Sequence, residues 1–188
     1  NELLIGEALK GRDRDSFQIS VKFGAMRGPD GAWNGYDARP AAVKNFLAYT
    51  LRRLKTDYID LYQPARYDRT VPIEDTLGAI LDLVKAGYVR HIGLSEVSAR
   101  TLKRAAQNFP IAALQIEYSL ASRGLEKDIL PAARALGIPV VAYGVLSRGL
   151  ISQATLANDM AAGVIRSRMP RFAADNLARN RALVAALD

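Results

Sequence analysis

The stretch YIDLYQPARYDRTVPIEDTLGAILDLVKAGYVRHIGLS, residues 58–95, contains two predicted strands and the helix between them. Two of its runs, Tyr58–Gln63 and Val89–Ser95, are short, rich in Ile, Leu, Val and Tyr, and predict strands. Between them, Ile73–Lys85 repeats apolar residues at helical spacing and is flanked by the Pro and Gly expected where a helix starts and stops. Strands separated by a full helix cannot form a hairpin, so we expect parallel pairing through a right-handed crossover.

The same alternation of strand and helix runs along the rest of the chain, so the predicted fold class is α/β. No G-x-G-x-x-G or Walker A sequence follows a predicted strand, which argues against an open dinucleotide-binding sheet. Five strands are too few for a closed (β/α)8 barrel, which typically takes about 250 residues. The sheet is therefore either open or part of a barrel. The other predicted strands are Phe17–Phe23, Ala112–Ser119 and Val140–Val145, and the other predicted helices are Asn1–Lys10, Ala41–Leu54, Ser98–Asn108, Glu126–Leu136 and Ala173–Leu187.

The composition permits one sizeable core and excludes several classes of protein. Of 188 residues, 49% are apolar, and 26 basic against 19 acidic side chains give a net charge of +7. The absence of Cys and the single His exclude disulfides, thiolate ligands and a His-rich metal site, so no metal is expected. No apolar run reaches the roughly 18–20 residues of a membrane span, and no secretory leader starts at Asn1, so we expect a cytoplasmic protein. The basic residues are scattered, which disfavours nucleic acid as a partner.

Polar side chains occupy the carboxyl ends of the five predicted strands. In a parallel α/β barrel these ends converge on one mouth, and that mouth carries the chemistry. We therefore place the functional site at these strand ends. The residues are Lys22, Gln63, Ser95, Gln115 and Tyr143.

Several of these side chains also have a structural interpretation. Lys22 fits a surface ion pair as well as a cation that lowers the pKa of a neighbouring acid or forms a Schiff base. Gln115 is a buried amide that needs partners, either ligand or backbone. Tyr143 is either an ordinary strand aromatic or a flat platform for a ring. For Asp60 and Glu117, two acids within strands, structural ion pairing is the favoured interpretation.

The residues after the fifth predicted strand suit a phosphate group. Leu146, Ser147, Arg148 and Gly149 combine small residues, backbone N–H groups and one guanidinium. Backbone donors and arginine both favour oxyanions. This segment therefore suits a pyrophosphate.

These motifs resemble the aldo-keto reductases, in the same order along essentially the whole chain. The branch with an extended R-x-D-x-x-V-P-I-E-D-T stretch is the most similar, here Arg66–Thr76 (RYDRTVPIEDT). The resemblance implies a (β/α)8 TIM barrel that reduces aldehydes and ketones with NADPH and uses no Rossmann motif. The matching segments are Asn1–Leu9, Ile19–Gly24, Tyr58–Gln63, Gly87–Ser95, Leu114–Ser119 and Ala142–Gly149.

The resemblance also implies a role for each candidate residue. Lys22 corresponds to the catalytic lysine, which acidifies a tyrosine that donates a proton. Ser95 and Gln115 correspond to groups that hold the nicotinamide carboxamide. Tyr143 corresponds to the aromatic side chain on which the nicotinamide ring stacks, and Leu146–Gly149 to the loop around the pyrophosphate.

The chain departs from the family pattern in several places. The catalytic Asp and Tyr of the family lie before Asn1, and the chain stops before the family's site for the adenosine 2′-phosphate. Ala65 stands where the family has a histidine, and Glu96 where it has an asparagine. The resemblance thus predicts that residues 1–188 are one barrel domain truncated at both ends. Its five strands are the third to seventh of eight.

Two functions are open at this point. One is an NADPH-dependent aldo-keto reductase that acts on a small-molecule carbonyl substrate. The alternative is a non-catalytic, reductase-like domain that binds a nucleotide or a partner, which Ala65 and the missing family residues favour. A lyase that uses Lys22 as a Schiff base is a weaker hypothesis, because it does not explain Gln115 and Tyr143 together. If no further strands close the ring, the unpaired edges of the first and fifth strands favour a homo-oligomer.

Overall fold

Helices and strands alternate along the chain in the computed structural model, which describes residues 1–151 and 165–185. The described part holds six α-helices: α1 (Glu2–Ala8), α2 (Pro40–Leu54), α3 (Ile73–Lys85), α4 (Ala99–Asn108), α5 (Ile129–Ala135) and α6 (Ala174–Ala185). Its strands are β1 (Ser20–Phe23), β2 (Ala25–Arg27), β3 (Trp33–Tyr36), β4 (Ile59–Pro64), β5 (Val89–Ser95), β6 (Ile111–Glu117) and β7 (Val140–Tyr143). Five strands form one sheet in the order β1-β4-β5-β6-β7, and β2 pairs with β3. The predicted α/β class is confirmed.

The strands β1, β4, β5 and β6 of the large sheet pair in parallel, as the crossover pattern predicts. Lys22 lies opposite Gln63 on β4, and Ser95 on β5 lies opposite Gln115 on β6. Successive side chains of a strand point to opposite faces of the sheet. With Leu61 opposite His91 in the β4–β5 register, these four polar residues share one face. We call it the polar face.

The other face of the sheet builds the hydrophobic core of the chain. It carries Tyr62, Ile92, Leu94 and Leu114, each at most 1% exposed. Apolar residues of α2, α3 and α4 pack against them. The Tyr62 hydroxyl donates a hydrogen bond to the Val43 carbonyl oxygen at 3.1 Å, which gives the one polar atom of this aromatic side chain a partner.

By its internal packing the chain divides into two compact units. The first unit comprises Asn1–Ile116 and Glu126–Val141, and it contains β1 to β5, nearly all of β6 and the helices α1 to α5. The second unit comprises Glu117–Leu125 and Ala142–Asp188, and it contains α6. The single barrel domain over residues 1–188 stays a prediction.

The helices begin and end where local sequence chemistry places them. Glu74 and Asp75 lie in the first turn of α3, where acidic side chains stabilise the positive end of the helix dipole. Gly87 follows that helix with a φ of 85°, a left-handed value that glycine adopts without strain. α1 approaches α2 at Gly6, where a Cβ would lie 2.8 Å from the Arg53 carbonyl oxygen.

None of the helices in residues 1–151 and 165–185 is long and apolar enough to span a membrane.

The β2–β3 hairpin is a feature that the sequence analysis missed. It follows β1 directly, and the Trp33 ring meets the Tyr36 ring edge-on with centroids 4.8 Å apart. The Arg27 guanidinium lies 5.3 Å from the centre of the Trp33 ring. These contacts explain how strands of three and four residues hold together outside the large sheet.

Some predicted elements differ from the observed ones at their ends. β1 begins at Ser20 rather than at Phe17, because a short 3-10 helix ends just before Phe17. α5 begins three residues later than predicted, and a separate 3-10 turn occupies Gly124–Glu126. The last two residues of the predicted carboxyl-terminal helix, 186 and 187, lie outside the described residues.

A network of charged and aromatic side chains closes the amino-terminal end of the sheet. The Arg14 guanidinium donates to the Asp60 carboxylate at 2.6 Å and to the Tyr58 carbonyl oxygen at 3.1 Å. The Ile19 backbone N–H also donates to Asp60, at 2.8 Å. The Tyr58 ring lies between Arg14 and Arg90, whose guanidinium carbons are 3.9 and 4.1 Å from its centre. The predicted structural ion pairing of Asp60 is confirmed.

Candidate functional site

Three of the predicted site residues lie on the polar face of the first unit, near the carboxyl ends of their strands. Lys22 is the penultimate residue of β1, and Ser95 is the last residue of β5. Gln115 is two residues from the end of β6 and is the register partner of Ser95. The parallel register thus places all three at the same end of the sheet. In α/β barrels that end carries the catalytic residues.

Ser95 and Gln115 both carry buried polar atoms without partners. Ser95 is 0% exposed, and its Oγ has no hydrogen-bond partner among the described residues. The Gln115 Oε1 atom is likewise buried and unpaired there. A buried polar atom without a partner costs about 1–3 kcal/mol, so such atoms are rare in native proteins. Two of them on register partners indicate a place where a ligand supplies the missing hydrogen bonds.

Gln63 is a fourth strand-end residue of the polar face, and the sequence analysis gave it a place at the site without an individual role. It is 1% exposed, and its Nε2 donates to the Ser20 Oγ at 3.2 Å. Its Oε1 has no partner among the described residues and lies 3.1 Å from where a Cβ of Gly93 would be. Glycine at that position therefore makes room for the Gln63 side chain. The signal in the sequence was its place at a strand end, next to Lys22 in the register.

A cavity of about 420 Å³ opens on the polar face of the first unit. The glutamines Gln63 and Gln115 line it together with Ser20, His91 and the small residue Ala113. Two unpaired amide oxygens in one cavity are suited to a ligand that donates N–H or O–H groups.

The electrostatic surroundings of Lys22 favour its neutral form more than water does. Partial burial and the nearby Arg66 guanidinium lower the pKa of Lys22 from its ordinary 10.5, and the Glu96 carboxylate acts in the opposite direction. A lysine cation in such a place lowers the pKa of an acid beside it. This is the property that proton transfer to a carbonyl oxygen requires.

The two departures from the family pattern, Ala65 and Glu96, also lie at this end of the sheet. Ala65 follows β4 directly, and its N–H donates to the Phe23 carbonyl oxygen at 2.8 Å. Glu96 follows β5 with a left-handed φ of 54°, and its N–H donates to the Gln115 carbonyl oxygen at 3.0 Å. Both backbones are thus fixed by the sheet, while the side chains differ in chemistry from those of the family.

The remaining predicted site residues belong to the second unit. Tyr143 ends β7 half-buried, and its carbonyl oxygen accepts a hydrogen bond from the Tyr118 N–H at 3.2 Å. Ser147 is buried and donates from its hydroxyl to the Ser119 Oγ at 3.0 Å. The N–H groups of Ser147 and Gly149 donate to the carbonyl oxygens of residues 144 and 146 at 2.7 and 2.8 Å.

The loop after β7 is strained and carries an unpaired guanidinium nitrogen. Ser147 and Arg148 have φ values of 52° and 59°, which non-glycine residues rarely adopt. The Arg148 Nε is buried and has no partner among the described residues, whereas Leu146 is 61% exposed. Backbone strain of this kind clusters at ligand clamps. Two of the loop N–H groups are engaged within the loop, and the unpaired Arg148 Nε is a donor of the kind that suits an anion.

Glu117 forms the ion pair that the sequence analysis predicted. Its carboxylate accepts hydrogen bonds from Arg171 at 2.8 Å and from the Ser122 hydroxyl at 3.1 Å. In the part of the chain that the structure describes, no group of three or more His, Asp or Glu side chains is arranged to hold a metal ion.

Comparison with known proteins identifies relatives along nearly the whole chain. The model of the Aldo/keto reductase family matches residues 1–185. The chain is 43% identical over 183 residues to "Probable aldo-keto reductase 1" of Glycine max, which covers 96% of this chain and 52% of that protein. The chain therefore spans about half the length of this curated relative.

Solved structures of similar proteins share the fold. A glycerol dehydrogenase, AKR11B4 from Gluconobacter oxydans, has a TM-score of 0.86 at 29% identity over 98% of this chain and 57% of its own. The holo form of the aldo-keto reductase AKR11C1 from Bacillus halodurans has a TM-score of 0.73 at 34% identity, over 81% and 50%. An aldo/keto reductase from Klebsiella pneumoniae in complex with NADP and acetate has a TM-score of 0.68 at 30% identity, over 82% and 52%.

Proposed function

Because this chain belongs to the aldo/keto reductase family, we propose that the whole protein is an oxidoreductase that reduces aldehydes or ketones to alcohols with NADPH. The five-stranded sheet corresponds to five strands of the family's (β/α)8 barrel. One observation carries the proposal: Ser95 and Gln115 present unpaired buried polar atoms at the same end of the sheet as Lys22.

The unpaired atoms of Ser95 and Gln115 fit a carboxamide group. The Ser95 hydroxyl donates to a carboxamide oxygen, and the Gln115 Oε1 accepts from a carboxamide NH₂ group. This pairing satisfies both buried atoms at once and fixes the orientation of a nicotinamide ring. When bound, the nicotinamide cofactor supplies the hydride. The residues of this chain then select which face of the ring meets the substrate.

The second unit, taken by itself, carries groups that suit other parts of a nicotinamide dinucleotide. Tyr143 offers a half-buried aromatic ring on which a nicotinamide stacks. The segment Leu146, Ser147, Arg148 and Gly149 offers a guanidinium to a pyrophosphate, since the Arg148 Nε lacks a partner in the described residues. The similar reductase from Klebsiella pneumoniae is in complex with NADP, which is further support for a nicotinamide dinucleotide.

Lys22 is the proposed catalytic residue of this chain. Its ammonium group lowers the pKa of a tyrosine hydroxyl that lies outside residues 1–188, and that hydroxyl gives its proton to the carbonyl oxygen. The lowered pKa of Lys22, caused by burial and by Arg66, lets the lysine share the proton more readily than an exposed lysine does. The remaining parts of the proposal are a small-molecule carbonyl substrate, a cytoplasmic location, no nucleic acid or membrane partner and, if no further strands close the ring, a homo-oligomer.

A second candidate function rests on Ala65. A methyl group stands where the family has a histidine, and it can neither polarise nor orient a carbonyl. The alternative is therefore a non-catalytic domain that binds a nucleotide or a partner. The nucleotide-binding form of this alternative also binds the cofactor and differs from the first candidate in having no turnover.

The experiment that separates these candidates measures NADPH binding and NADPH oxidation in the whole protein. We expect Lys22→Met to lower the rate of aldehyde reduction by about 10²–10⁴-fold, because acid–base help of this size is lost. NADPH binding, followed by nicotinamide fluorescence, should stay within a factor of two or so, because Lys22 acts on the proton rather than on the ring.

The control is Lys103→Met, which removes an exposed lysine from α4 and should leave the rate unchanged. A protein that binds NADPH but reduces no aldehyde or ketone is the binding domain of the alternative. A protein that does not bind NADPH at all contradicts the first candidate and leaves only the partner-binding form of the alternative.

A further inference from the structure

A second cavity of the first unit, about 570 Å³ in volume, lies beside the carboxyl ends of β4 and β5. The loop after β4 and the start of α4 form its walls. Three of its eight lining residues are arginines and one is acidic. We call it the arginine cavity. The lining residues that matter here are Arg66, Arg69, Glu96, Ser98, Arg100 and Thr101.

The positive charge of the arginine cavity is not neutralised by ion pairs of its own arginines. Within residues 1–151 and 165–185, neither Arg69 nor Arg100 has an ion-pair partner. Arg104, one turn further along α4 and outside the cavity, forms two hydrogen bonds with Glu74 at 2.5 and 2.7 Å. Arg66 donates to an uncharged acceptor, the carbonyl oxygen of Ala65, at 2.7 Å. Arg104, outside the cavity, is therefore ion-paired, whereas Arg69 and Arg100, which line the cavity, are not.

The start of α4 adds to the positive potential. The Ser98 hydroxyl caps this ten-residue helix by accepting from the Thr101 N–H at 3.2 Å. The first turn has no acidic residue, and it carries Arg100 at the end of the helix where the dipole is already positive. An anion beside this turn would be stabilised by both the helix dipole and Arg100. The arginine side chains and the positive end of the α4 dipole therefore both raise the electrostatic potential in the arginine cavity.

The arginine cavity also adjoins the candidate catalytic residue. Arg66 lines the cavity and is close enough to Lys22 to lower the pKa of that lysine. Glu96, from the same lining, acts on Lys22 with the opposite sign. An anion held by Arg66 is therefore close to the end of the sheet where we place the reacting carbonyl.

We propose that the arginine cavity binds the carboxylate or phosphate group of the carbonyl substrate. The preferred substrates are then anionic aldehydes or ketones. A guanidinium offers planar paired donors that match the oxygens of either group. The Ser98 and Thr101 hydroxyls share one hydrogen bond at 3.0 Å, so one of the two keeps a proton to donate to a ligand. The substrate class rests on the proposed function, whereas the binding of an oxyanion does not.

The first test titrates the protein with inorganic phosphate and with acetate, by calorimetry at constant ionic strength in chloride. The double variant Arg69→Gln, Arg100→Gln should bind phosphate at least about tenfold more weakly, because hydrogen bonds to charged groups are lost. Both arginines are exposed, so the fold is retained, and circular dichroism checks this. Lys103→Gln removes one positive charge from α4 outside the cavity and should leave the affinity unchanged. Equal phosphate affinity in all variants, or no binding to the unaltered protein, overturns the proposal.

The second test compares 4-oxobutanoate with butanal, two aldehydes of equal chain length of which only the first carries a carboxylate. The double variant should lower kcat/KM for 4-oxobutanoate by tenfold or more and leave that for butanal unchanged. If NADPH affinity falls instead, the oxyanion belongs to the cofactor and the substrate class is overturned. If neither aldehyde is reduced, the proposed function fails, while the phosphate titration still decides whether the cavity binds an oxyanion.

Discussion

At the amino-terminal end of the sheet polar groups satisfy one another, whereas at the carboxyl-terminal end several do not. Asp60 accepts hydrogen bonds from Arg14 and Ile19 at 2.6 and 2.8 Å. At the other end, Ser95 Oγ and Gln115 Oε1 have no partners among the described residues. The two ends belong to the same sheet and the same unit of the chain. They differ in whether their polar groups have hydrogen-bond partners within the described part of the chain.

The comparison separates the groups that stabilise the fold from those that are kept for a ligand. Paired charges at the amino-terminal end hold the start of β4 to the segment before β1. Unpaired polar atoms at the carboxyl-terminal end lower stability by about 1–3 kcal/mol each, a cost that is retained where a bound ligand offsets it. Barrel enzymes place stability and chemistry at opposite ends in this way.

The largest expected effect is on stability, at Asp60. We expect Asp60→Asn to lower the free energy of unfolding at pH 7 by about 2 kcal/mol, because charge-assisted hydrogen bonds to a largely buried carboxylate are lost. Urea denaturation measures the change. Asp57→Asn, which alters an exposed carboxylate nearby, is the control and should change stability by no more than about 0.5 kcal/mol. Equal effects of the two substitutions would contradict the claim that the paired charges at the amino-terminal end stabilise the fold.

The Asp60 effect should also depend on pH. Burial alone would raise the pKa of Asp60, but hydrogen bonds from Ile19 and Arg14 outweigh it and hold the pKa below its ordinary 3.8. A depressed pKa stabilises the fold above the unfolded value and loses that contribution as the pH falls through the folded value. The stability difference between Asp60→Asn and the unaltered protein should therefore shrink as the pH falls below about 4. A difference that stays constant down to pH 2 contradicts this origin.

A smaller effect is expected at Ser95, where the substitution should weaken ligand binding without lowering stability. Ser95→Ala should leave stability unchanged or raise it by up to about 1 kcal/mol, because it removes an unpaired buried hydroxyl. NADPH should bind about tenfold more weakly, as measured by nicotinamide fluorescence. Ser16→Ala is the matched control at the other end of the sheet, where the hydroxyl donates to the Asp13 carbonyl oxygen at 2.6 Å. A loss of stability in Ser95→Ala with no change in binding would assign Ser95 to the fold.

The smallest effect is electrostatic and concerns Lys22. Arg66→Gln removes a positive charge that lowers the pKa of Lys22, so that pKa should rise. NMR of the lysine side chain against pH measures it. Arg90→Gln, which removes a charge at the amino-terminal end, should leave the pKa of Lys22 where it is. A pKa of Lys22 that does not respond to Arg66→Gln shows that burial alone is the cause.

The architecture of the sheet was predictable because its signals are local. The bounds predicted for Val89–Ser95 and Ile73–Lys85 are those of β5 and α3, since periodicity and flanking Pro and Gly mark both segments. The alternation of strand and helix predicted parallel strands, and the carboxyl ends of parallel barrel strands converge, so Lys22, Ser95 and Gln115 were predicted to lie at one end of the sheet.

The hairpin was missed although its turn is visible in the sequence. The segment Gly28–Gly31, GPDG, carries the residues of a tight turn, and the Gly31 N–H donates to the Gly28 carbonyl oxygen at 2.9 Å. The flanking strands are too short to show a period of two. The sequence therefore indicates the turn at Gly28–Gly31 but not the two strands that flank it.

Two features of the site depend on packing and could not be predicted. The unpaired state of Gln63 Oε1 follows from where its neighbours on other strands direct their donors. The arginine cavity joins Arg66, after β4, to Arg100, in α4, and nothing in the intervening sequence marks them as neighbours. Pairs that are distant in sequence become visible only when the chain is folded.

The hairpin gives the protein an optical label of its own. Trp33 is the single tryptophan of the chain, and it is 50% exposed, between Arg27 and Tyr36. Its emission therefore reports the state of the hairpin, whereas circular dichroism at 222 nm reports the helices. Comparing the two signals during denaturation shows whether the hairpin opens before, with or after the loss of the helices. The comparison needs no dye and no added mutation.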